Sequence, residues 1–175
     1  MALASTPSNE QDLYWQEFTQ LKLDACYVRD YRDSIAKWET GVAIVRAITS
    51  SASIAAWVVW RNYAFVWATL IAASQVADAL RDVFPFRKRR QALSGWSNAL
   101  NRLFVDAQRD WDSISAGSLS NAKISTLTHQ LRKAMQGYEQ TYIPDGLPRK
   151  QVLFDAAQAE MATFFRTRYS IRDEG

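Results

Sequence analysis

Two apolar stretches that meet at a single charged residue restrict the fold of this sequence more than any other feature. Residues 41–60 read GVAIVRAITSSASIAAWVVW, and residues 62–77 read NYAFVWATLIAASQVA. Arg46 and Arg61 are the only charged residues between positions 41 and 77, although 22% of the whole chain is charged. This pattern predicts either a membrane hairpin or a soluble bundle with two wholly buried central helices.

The length of the apolar region is compatible with a hairpin but does not decide the question. Helices over residues 39–60 and 62–83 would each be about 33 Å long, and a hydrocarbon core is about 30 Å thick. The runs without any charge are shorter, Ala47–Trp60 and Asn62–Ala77, and they are rich in Ala, Ser and Thr. Length therefore leaves both interpretations open.

The distribution of basic and aromatic residues favours the hairpin. Nine Lys or Arg residues flank positions 41–77 within about twenty residues, whereas the turn contains Arg61 alone. This asymmetry predicts that both ends of the hairpin are cytoplasmic. Trp and Tyr prefer the headgroup level, and aromatic rings gather at both predicted interfaces: Trp57, Trp60, Tyr63, Phe65 and Trp67 near the turn, and Trp38, Phe84 and Phe86 at the other end.

Small residues recur at four-residue steps on both predicted spans. Helices in lipid associate by close backbone approach, which small side chains permit. The predicted packing positions are Ala43, Ala47, Ser51 and Ala55 on the first span and Ala64, Ala68 and Ala72 on the second. Alanine at this spacing also occurs in soluble helices, so the pattern supports the hairpin less strongly than the charge distribution does.

Arg46 lies inside the first predicted span, where a charge is costly unless it is paired or reaches the headgroups. Positions 46 and 78 are separated from the turn near residue 61 by similar numbers of residues, so Asp78 would lie at nearly the same height on the second span. We therefore predict an ion pair between Arg46 and Asp78. A polar stripe continues along the same helix faces: Thr49, Ser50 and Ser53 on the first span, Ser74 and Gln75 on the second. The stripe either lines a water-filled path in an oligomer or holds the two spans together.

A basic run follows the second predicted span and consists of Arg87, Lys88, Arg89 and Arg90. We predict contact with anionic lipid headgroups, because each basic residue near a membrane surface contributes about 1 kcal/mol. The alternatives are a nucleic-acid patch and a solvated turn. The run lacks interleaved aromatic residues and any recognition motif, so no nucleic-acid partner is expected.

The rest of the chain carries helical patterns only, which predicts an all-α fold. Apolar residues recur at three- and four-residue steps over about 9–38, 96–114, 124–142 and 149–170. The Ser-rich segment after Ile114 and the sequence IPDGLP after Tyr142 predict breaks between these helices.

These patterns predict three regions in different surroundings. Residues 1–38 form an N-terminal cytoplasmic helix, residues 39–84 a transmembrane helical hairpin, and residues 85–175 the C-terminal cytoplasmic helices. The amphipathic helices are expected to form a bundle beneath the membrane. Residues 1–10 lack the features of a secretory signal peptide, so we expect no secretion by that route.

Residue types that carry catalysis are scarce. One histidine, His129, and one cysteine, Cys26, leave almost no material for a Cys/His metal site or a Cys–His nucleophile. The sequence contains no GxxxxGK[ST] or GxGxxG phosphate-binding loop. We therefore expect no catalytic, metal or cofactor site and interpret the chain as a non-enzyme.

The order of an amphipathic helix, a two-span hairpin, the basic RKRR flank and C-terminal helices resembles the SLATT family of bacterial two-transmembrane effector domains. The resemblance covers most of the chain and rests on this layout. It implies an oligomeric effector of the bacterial inner membrane that forms a pore or disrupts the bilayer in antiphage defence and kills the infected cell. It also implies a partner that makes or senses a nucleotide signal as the trigger.

Two other functions fit the same sequence. The first is a soluble or peripheral all-helical adaptor that binds another protein and forms no pore. The second is a passive membrane anchor or scaffold. Resistance to carbonate extraction separates the effector from the adaptor, and depolarisation of cells separates the effector from the anchor.

Overall fold

The computed structural model describes residues 9–51, 65, 69, 72 and 86–169. These residues form four helices, which are α1 (Asn9–Ser51), α2 (Phe86–Ser115), α3 (Asn121–Tyr142) and α4 (Gln151–Tyr169). The described part of the chain contains no β-strand, so the all-α prediction is confirmed there.

Helix α1 is longer than the N-terminal helix that the sequence predicts. It begins at Asn9 as expected, but it continues through the predicted boundary after Trp38 and ends at Ser51. No proline interrupts this segment, and Gly41 is its only glycine, which costs a helix interior about 1 kcal/mol relative to alanine. The N-terminal helix and the start of the first predicted span are therefore one continuous helix.

The basic run lies inside α2, because this helix begins at Phe86. The interpretation of the run as a solvated turn is therefore wrong. A helix N-terminus favours acidic side chains, yet the first turn of α2 contains none. The charges of this run therefore interact unfavourably with the helix dipole.

The chain divides into two compact units. The first unit combines Met1–Tyr31 with Ala92–Gly175, and the second unit comprises Arg32–Gln91. Among the described residues, the first unit contains α3, α4, the part of α1 up to Tyr31 and the part of α2 from Ala92 onward.

Cross-helix contacts in the first unit define an up-down-up-down order of helices. Helices α1 and α2 run antiparallel, because the Tyr14 hydroxyl donates a hydrogen bond of 3.1 Å to the Ala107 carbonyl while Phe18 stacks on Phe104 further along. Helix α4 also runs antiparallel to α1, since Phe18 meets Phe165 and residues later in α1 meet positions earlier in α4. Short connections over residues 116–120 and 143–150 join α2 to α3 and α3 to α4, and such connections favour antiparallel neighbours.

Most of the core of the first unit comes from the apolar stripes that the sequence predicts, and Leu93 joins it from outside the predicted range of 96–114. The fully buried members are Tyr14, Phe18, Leu21 and Val28 on α1, Leu93, Leu100 and Ile114 on α2, and Ile124 on α3. Val152 departs from its predicted stripe, because it is 81% exposed at the start of α4. The first turn of a helix that follows a loop has fewer neighbours to cover it.

Two glycines in the left-handed region form the predicted breaks between helices. Gly117 has a φ of 69° and Gly146 a φ of 74°, where a β-carbon would clash with the backbone. The Gly117 amide donates to the Ile114 carbonyl at 2.9 Å, and the Gly146 amide donates to the Ile143 carbonyl at 2.9 Å. Both loops are thus tight turns, as the sequence predicts.

Candidate functional site

The predicted polar stripe falls largely outside the described residues. Arg46, Thr49 and Ser50 belong to α1, and only their backbone is described. Ser53, the last position of the stripe on the first span, lies outside the described residues. The positions on the second span, which are Ser74, Gln75 and Asp78, also lie outside them. The ion pair between Arg46 and Asp78 therefore stays a prediction.

The predicted packing positions are described in part. Ala43 and Ala47 on α1 are exposed, as is Ala72, and Ser51 is the last residue of α1. Three further positions lie outside the described residues: Ala55, Ala64 and Ala68. Association of spans along the helix face that carries Ala43 and Ala47 therefore stays a prediction.

The basic residues predicted to contact lipid are exposed on the first turns of α2. Lys88, Arg89 and Arg90 are all exposed, while only the backbone of Arg87 is described. The Arg90 Nη1 atom lies 3.0 Å from a carboxylate oxygen of Glu39. Lys88 and Arg89 have no ion-pair partner within the described part of the chain, so two cations of the run face solvent.

Large apolar side chains of the second unit are exposed. Trp38 is 68% exposed, Ile44 is 55% exposed and Phe65 is 84% exposed, with Val42 at 36%. Scattered exposed apolar residues are ordinary on soluble proteins, but a concentration of them marks an interaction surface. In residues 9–51 and 86–169, and at the three single described positions, no helix has the length and apolar content needed to cross a membrane.

The first unit contains a cavity of about 250 Å³ between α1, α2 and α3. Its wall combines carboxylates, one guanidinium group, one amide and three apolar side chains. The lining residues are Glu17, Asp24, Trp96, Leu100, Arg132, Met135, Gln136 and Glu139. No residue of this cavity appears among the sites that the sequence predicts.

The charges of this cavity are only partly balanced. Arg132 donates a hydrogen bond of 3.0 Å from Nε to the Glu17 carboxylate, and its Nη2 donates to the same oxygen. Asp24 accepts a hydrogen bond of 2.8 Å from Gln20. Burial nevertheless raises the pKa of Asp24 to about 6; the Gln20 hydrogen bond opposes this rise, and the nearby Glu139 and Glu17 charges add to it. The cavity thus contains more negative charge than it neutralises.

Trp96, another residue that lines the cavity, contains a buried donor without a partner in the described part of the chain. The residue is 7% exposed, and its Nε1–H has no hydrogen-bond partner among the described residues. A buried donor without a partner costs about 1–3 kcal/mol, and such groups in native structures call for an explanation.

A helical spacing in the sequence points to part of this cavity. Glu17 and Asp24 are seven residues apart on α1, and Arg132 and Glu139 are seven apart on α3, so each pair shares one helix face. The spacing alone does not bring the two faces together. Their contact depends on α1 and α3 running in the same direction, which follows from the order of the bundle.

Cys26 is a structural residue in this fold. It is 1% exposed, and its thiol donates a hydrogen bond of 3.4 Å to a Glu160 oxygen that also accepts one of 2.9 Å from Arg29. Burial raises the pKa of Cys26 to about 11, so the thiol stays protonated at neutral pH. This arrangement joins α1 to α4 and does not activate a nucleophile.

Comparison with known proteins found no match: no family model, no curated protein and no solved structure is similar to this chain. The resemblance to the SLATT family therefore stays a prediction.

Proposed function

We propose that this chain is an oligomeric membrane effector whose residues 39–84 insert into the bacterial inner membrane as a helical hairpin. When a partner protein triggers it, the assembly permeabilises or disrupts the membrane. From the resemblance to the SLATT family we also propose a role in antiphage defence. The same resemblance suggests that the partner makes or senses a nucleotide signal.

The observation that carries the proposal is the exposure of large apolar side chains in and next to the apolar stretch of the sequence. Trp38, Ile44 and Phe65 are each more than half exposed, and they flank or belong to a stretch with two charges between positions 41 and 77. By contrast, the first unit buries most of its large apolar side chains. A surface of this kind needs an apolar partner, and a bilayer supplies one.

The basic residues of α2 support lipid as that partner. Lys88 and Arg89 are exposed and have no ion-pair partner within the described residues, and they lie in a helix turn where positive charge is unfavourable. Attraction to anionic headgroups would offset this cost, at about 1 kcal/mol for each residue near the surface. A protein partner with an acidic surface would supply the same attraction, but it would not explain the apolar sequence beside it.

The proposed path for ions is the polar stripe of the hairpin. Arg46 and Asp78 would pair at similar depth, and the Ser, Thr and Gln side chains beside them would face the same interior. A charge at depth is tolerated when it is paired or faces water, so the pair sets both the register and the polarity of the path.

The test is the membrane potential and viability of bacteria that express the chain. We expect wild-type protein to depolarise the cells when its trigger is co-expressed or when expression is strong. The double variant Arg46→Ala with Asp78→Ala should insert and yet not depolarise, because the polar path is lost. A control with Lys133→Ala and Asp155→Ala, which changes two exposed charges of the first unit, should behave as wild type.

Fractionation of the same cells separates the competing functions. Protein that carbonate releases from membranes would contradict the effector and favour the adaptor. Protein that resists carbonate but leaves the potential of triggered cells unchanged would favour the passive anchor. Charge reversal provides a second check: Arg46→Asp with Asp78→Arg should restore the activity that either single reversal removes.

A further inference from the structure

An ion pair of the second unit joins α1 to the basic run of α2. The Arg90 Nη1 atom lies 3.0 Å from a carboxylate oxygen of Glu39, and the two side chains are 45% and 26% exposed. Ion pairs that are open to water contribute little to stability. Another anion can therefore replace the Glu39 carboxylate at small cost.

The other exposed cations of the run have no such partner. Lys88 and Arg89 form no ion pair within the described part of the chain. Both lie within one helical turn of Arg90, so three exposed cations share the start of α2 and Glu39 neutralises only one of them. The surface around the ion pair is therefore positively charged and attracts anions.

An exposed indole close to the ion pair favours a lipid headgroup over a free phosphate as the anion. Trp38 directly precedes Glu39 on α1 and is 68% exposed, and Val42, one turn further along the same helix face, is 36% exposed. A dissolved phosphate gains nothing from apolar neighbours, whereas Trp prefers the level of the headgroups, between water and hydrocarbon. Cations and an indole near one ion pair match the charged and apolar parts of an anionic phospholipid.

We propose that the exposed cations of the basic run bind the phosphate groups of anionic phospholipids and that Glu39 competes with these lipids for Arg90. Away from lipid, the Glu39 carboxylate binds Arg90. At the membrane a headgroup phosphate replaces it, because a guanidinium group donates two parallel hydrogen bonds to phosphate oxygens. The inference rests on the proposed membrane function and deepens it by naming the lipid class and the contact between α1 and α2 that the lipid breaks.

The experiment measures the lipid affinity of the purified full-length chain in detergent micelles by microscale thermophoresis. One probe is dioleoylphosphatidylglycerol, which has a net negative charge. The other is dioleoylphosphatidylcholine, which has the same phosphate and acyl chains but no net charge. We expect half-saturation at a lower mole fraction of phosphatidylglycerol. Lys88→Gln and Arg89→Gln should each raise that fraction about fivefold, which is the contribution of one basic residue near a membrane surface.

Glu39→Gln tests the competition for Arg90. It should lower the mole fraction of phosphatidylglycerol at half-saturation about threefold, because Arg90 no longer has to leave a partner. The same change in an Arg90→Gln background should have no effect. Asp33→Asn is the matched control, since it also removes a negative charge from α1 and separates a carboxylate from an arginine, Arg32, at 2.8 Å. It lies about 9 Å along α1 from Glu39 and should bind as wild type.

The proposal is overturned if the wild-type chain binds both lipids equally, or if Glu39→Gln leaves the affinity unchanged in a chain whose helices a circular dichroism melt shows to be intact. A gain in Glu39→Gln that persists without Arg90 would also overturn it. Displacement of phosphatidylglycerol by sodium phosphate, but not by sodium chloride of equal ionic strength, would identify free phosphate as the ligand instead.

Carbonate extraction of cells that express the chain tests the hairpin separately. A chain that carbonate releases, but that prefers phosphatidylglycerol and binds it more tightly as Glu39→Gln, would support the headgroup contact and contradict only the proposed insertion. A chain that resists carbonate but binds both lipids equally would contradict the headgroup contact alone.

Discussion

Asp24 lies in an environment that differs strongly from that of a free carboxyl. It lies on α1 beside two other carboxylates, and burial raises its pKa to about 6. A carboxyl in this position resists ionisation, because the ionised form is partly removed from water and repelled by its neighbours.

The raised pKa of Asp24 predicts a pH-dependent stability. The native pKa lies above the unfolded value of about 3.9, so the native state binds the proton more tightly and is favoured at low pH. This contribution is fully present below about pH 4 and is lost as the pH rises through about 6. Asp24→Asn should therefore raise the free energy of unfolding at pH 8 by about 1–3 kcal/mol and change it little at pH 4.

Urea unfolding of wild type and Asp24→Asn across this pH range measures the effect. Asp145→Asn, at an exposed turn position, serves as the control and should follow the wild type at every pH. A difference between wild type and Asp24→Asn that does not change between pH 4 and pH 8 would contradict the assigned environment of Asp24.

Two glycines of the first unit are expected to respond to alanine in opposite ways. Gly137 lies inside α3 with open space where a β-carbon would be, so Gly137→Ala should stabilise by about 0.5–1 kcal/mol through helix propensity. Gly146 has a φ of 74°, so Gly146→Ala should destabilise by about 1–2 kcal/mol. Thermal unfolding of the two variants gives the signs, and the same sign for both would contradict the described backbone.

At the scale of helices, contacts between aromatic rings hold the first unit together. Phe18 is fully buried and contacts Phe104 on α2 at 5.1 Å and Phe165 on α4 at 5.2 Å between ring centroids. Trp15 extends the group by contacting Trp111 at 4.6 Å. Aromatic pairs of this kind contribute about 0.5–1.5 kcal/mol beyond the area that they bury.

Phe18→Ala tests this arrangement. Loss of the ring should lower the free energy of unfolding by about 3–5 kcal/mol, because a cavity opens between three helices. Val152→Ala is the control, since Val152 is 81% exposed, and it should change stability by less than about 0.5 kcal/mol. Denaturant unfolding followed by far-ultraviolet circular dichroism measures both, and equal effects would contradict the assigned core.

The sequence predicts the helices of the first unit well because each apolar stripe repeats at helical spacing. Phe18, Leu100 and Ile124 are buried as their stripes require. The start of α2 is harder to predict, because a basic run is as compatible with a loop as with a helix. The length of α1 is also hard to predict, since the change of composition near Trp38 indicates new surroundings and not a break in the helix.

The cavity is the part of the first unit that the sequence does not predict. Glu17 and Glu139 are ordinary charged residues at exposed helical positions when each helix is considered alone. They share a site only because α1 and α3 lie side by side in parallel, which depends on the order in which four helices pack. An unsatisfied indole such as that of Trp96 has no signature in sequence at all.

At the scale of the whole molecule, the two units differ in amino-acid composition. The first unit is built from amphipathic helices with a buried aromatic core, which is the pattern of a helical bundle in water. The second unit, Arg32–Gln91, contains the apolar stretch and exposes Trp38 and Ile44. We infer that the two units serve different surroundings, and the proposed function rests on this difference.

The most direct test of that claim is the topology of the hairpin in bacterial spheroplasts. Cys26 is the only cysteine of the chain, so Cys26→Ala provides a background for single introduced cysteines. Arg61→Cys, at the predicted turn, should react with a membrane-impermeant maleimide in intact spheroplasts. Asp145→Cys, in an exposed loop of the first unit, should react only after lysis. Protection of Arg61→Cys until lysis, or recovery of the protein in the carbonate-soluble fraction, would contradict the membrane hairpin.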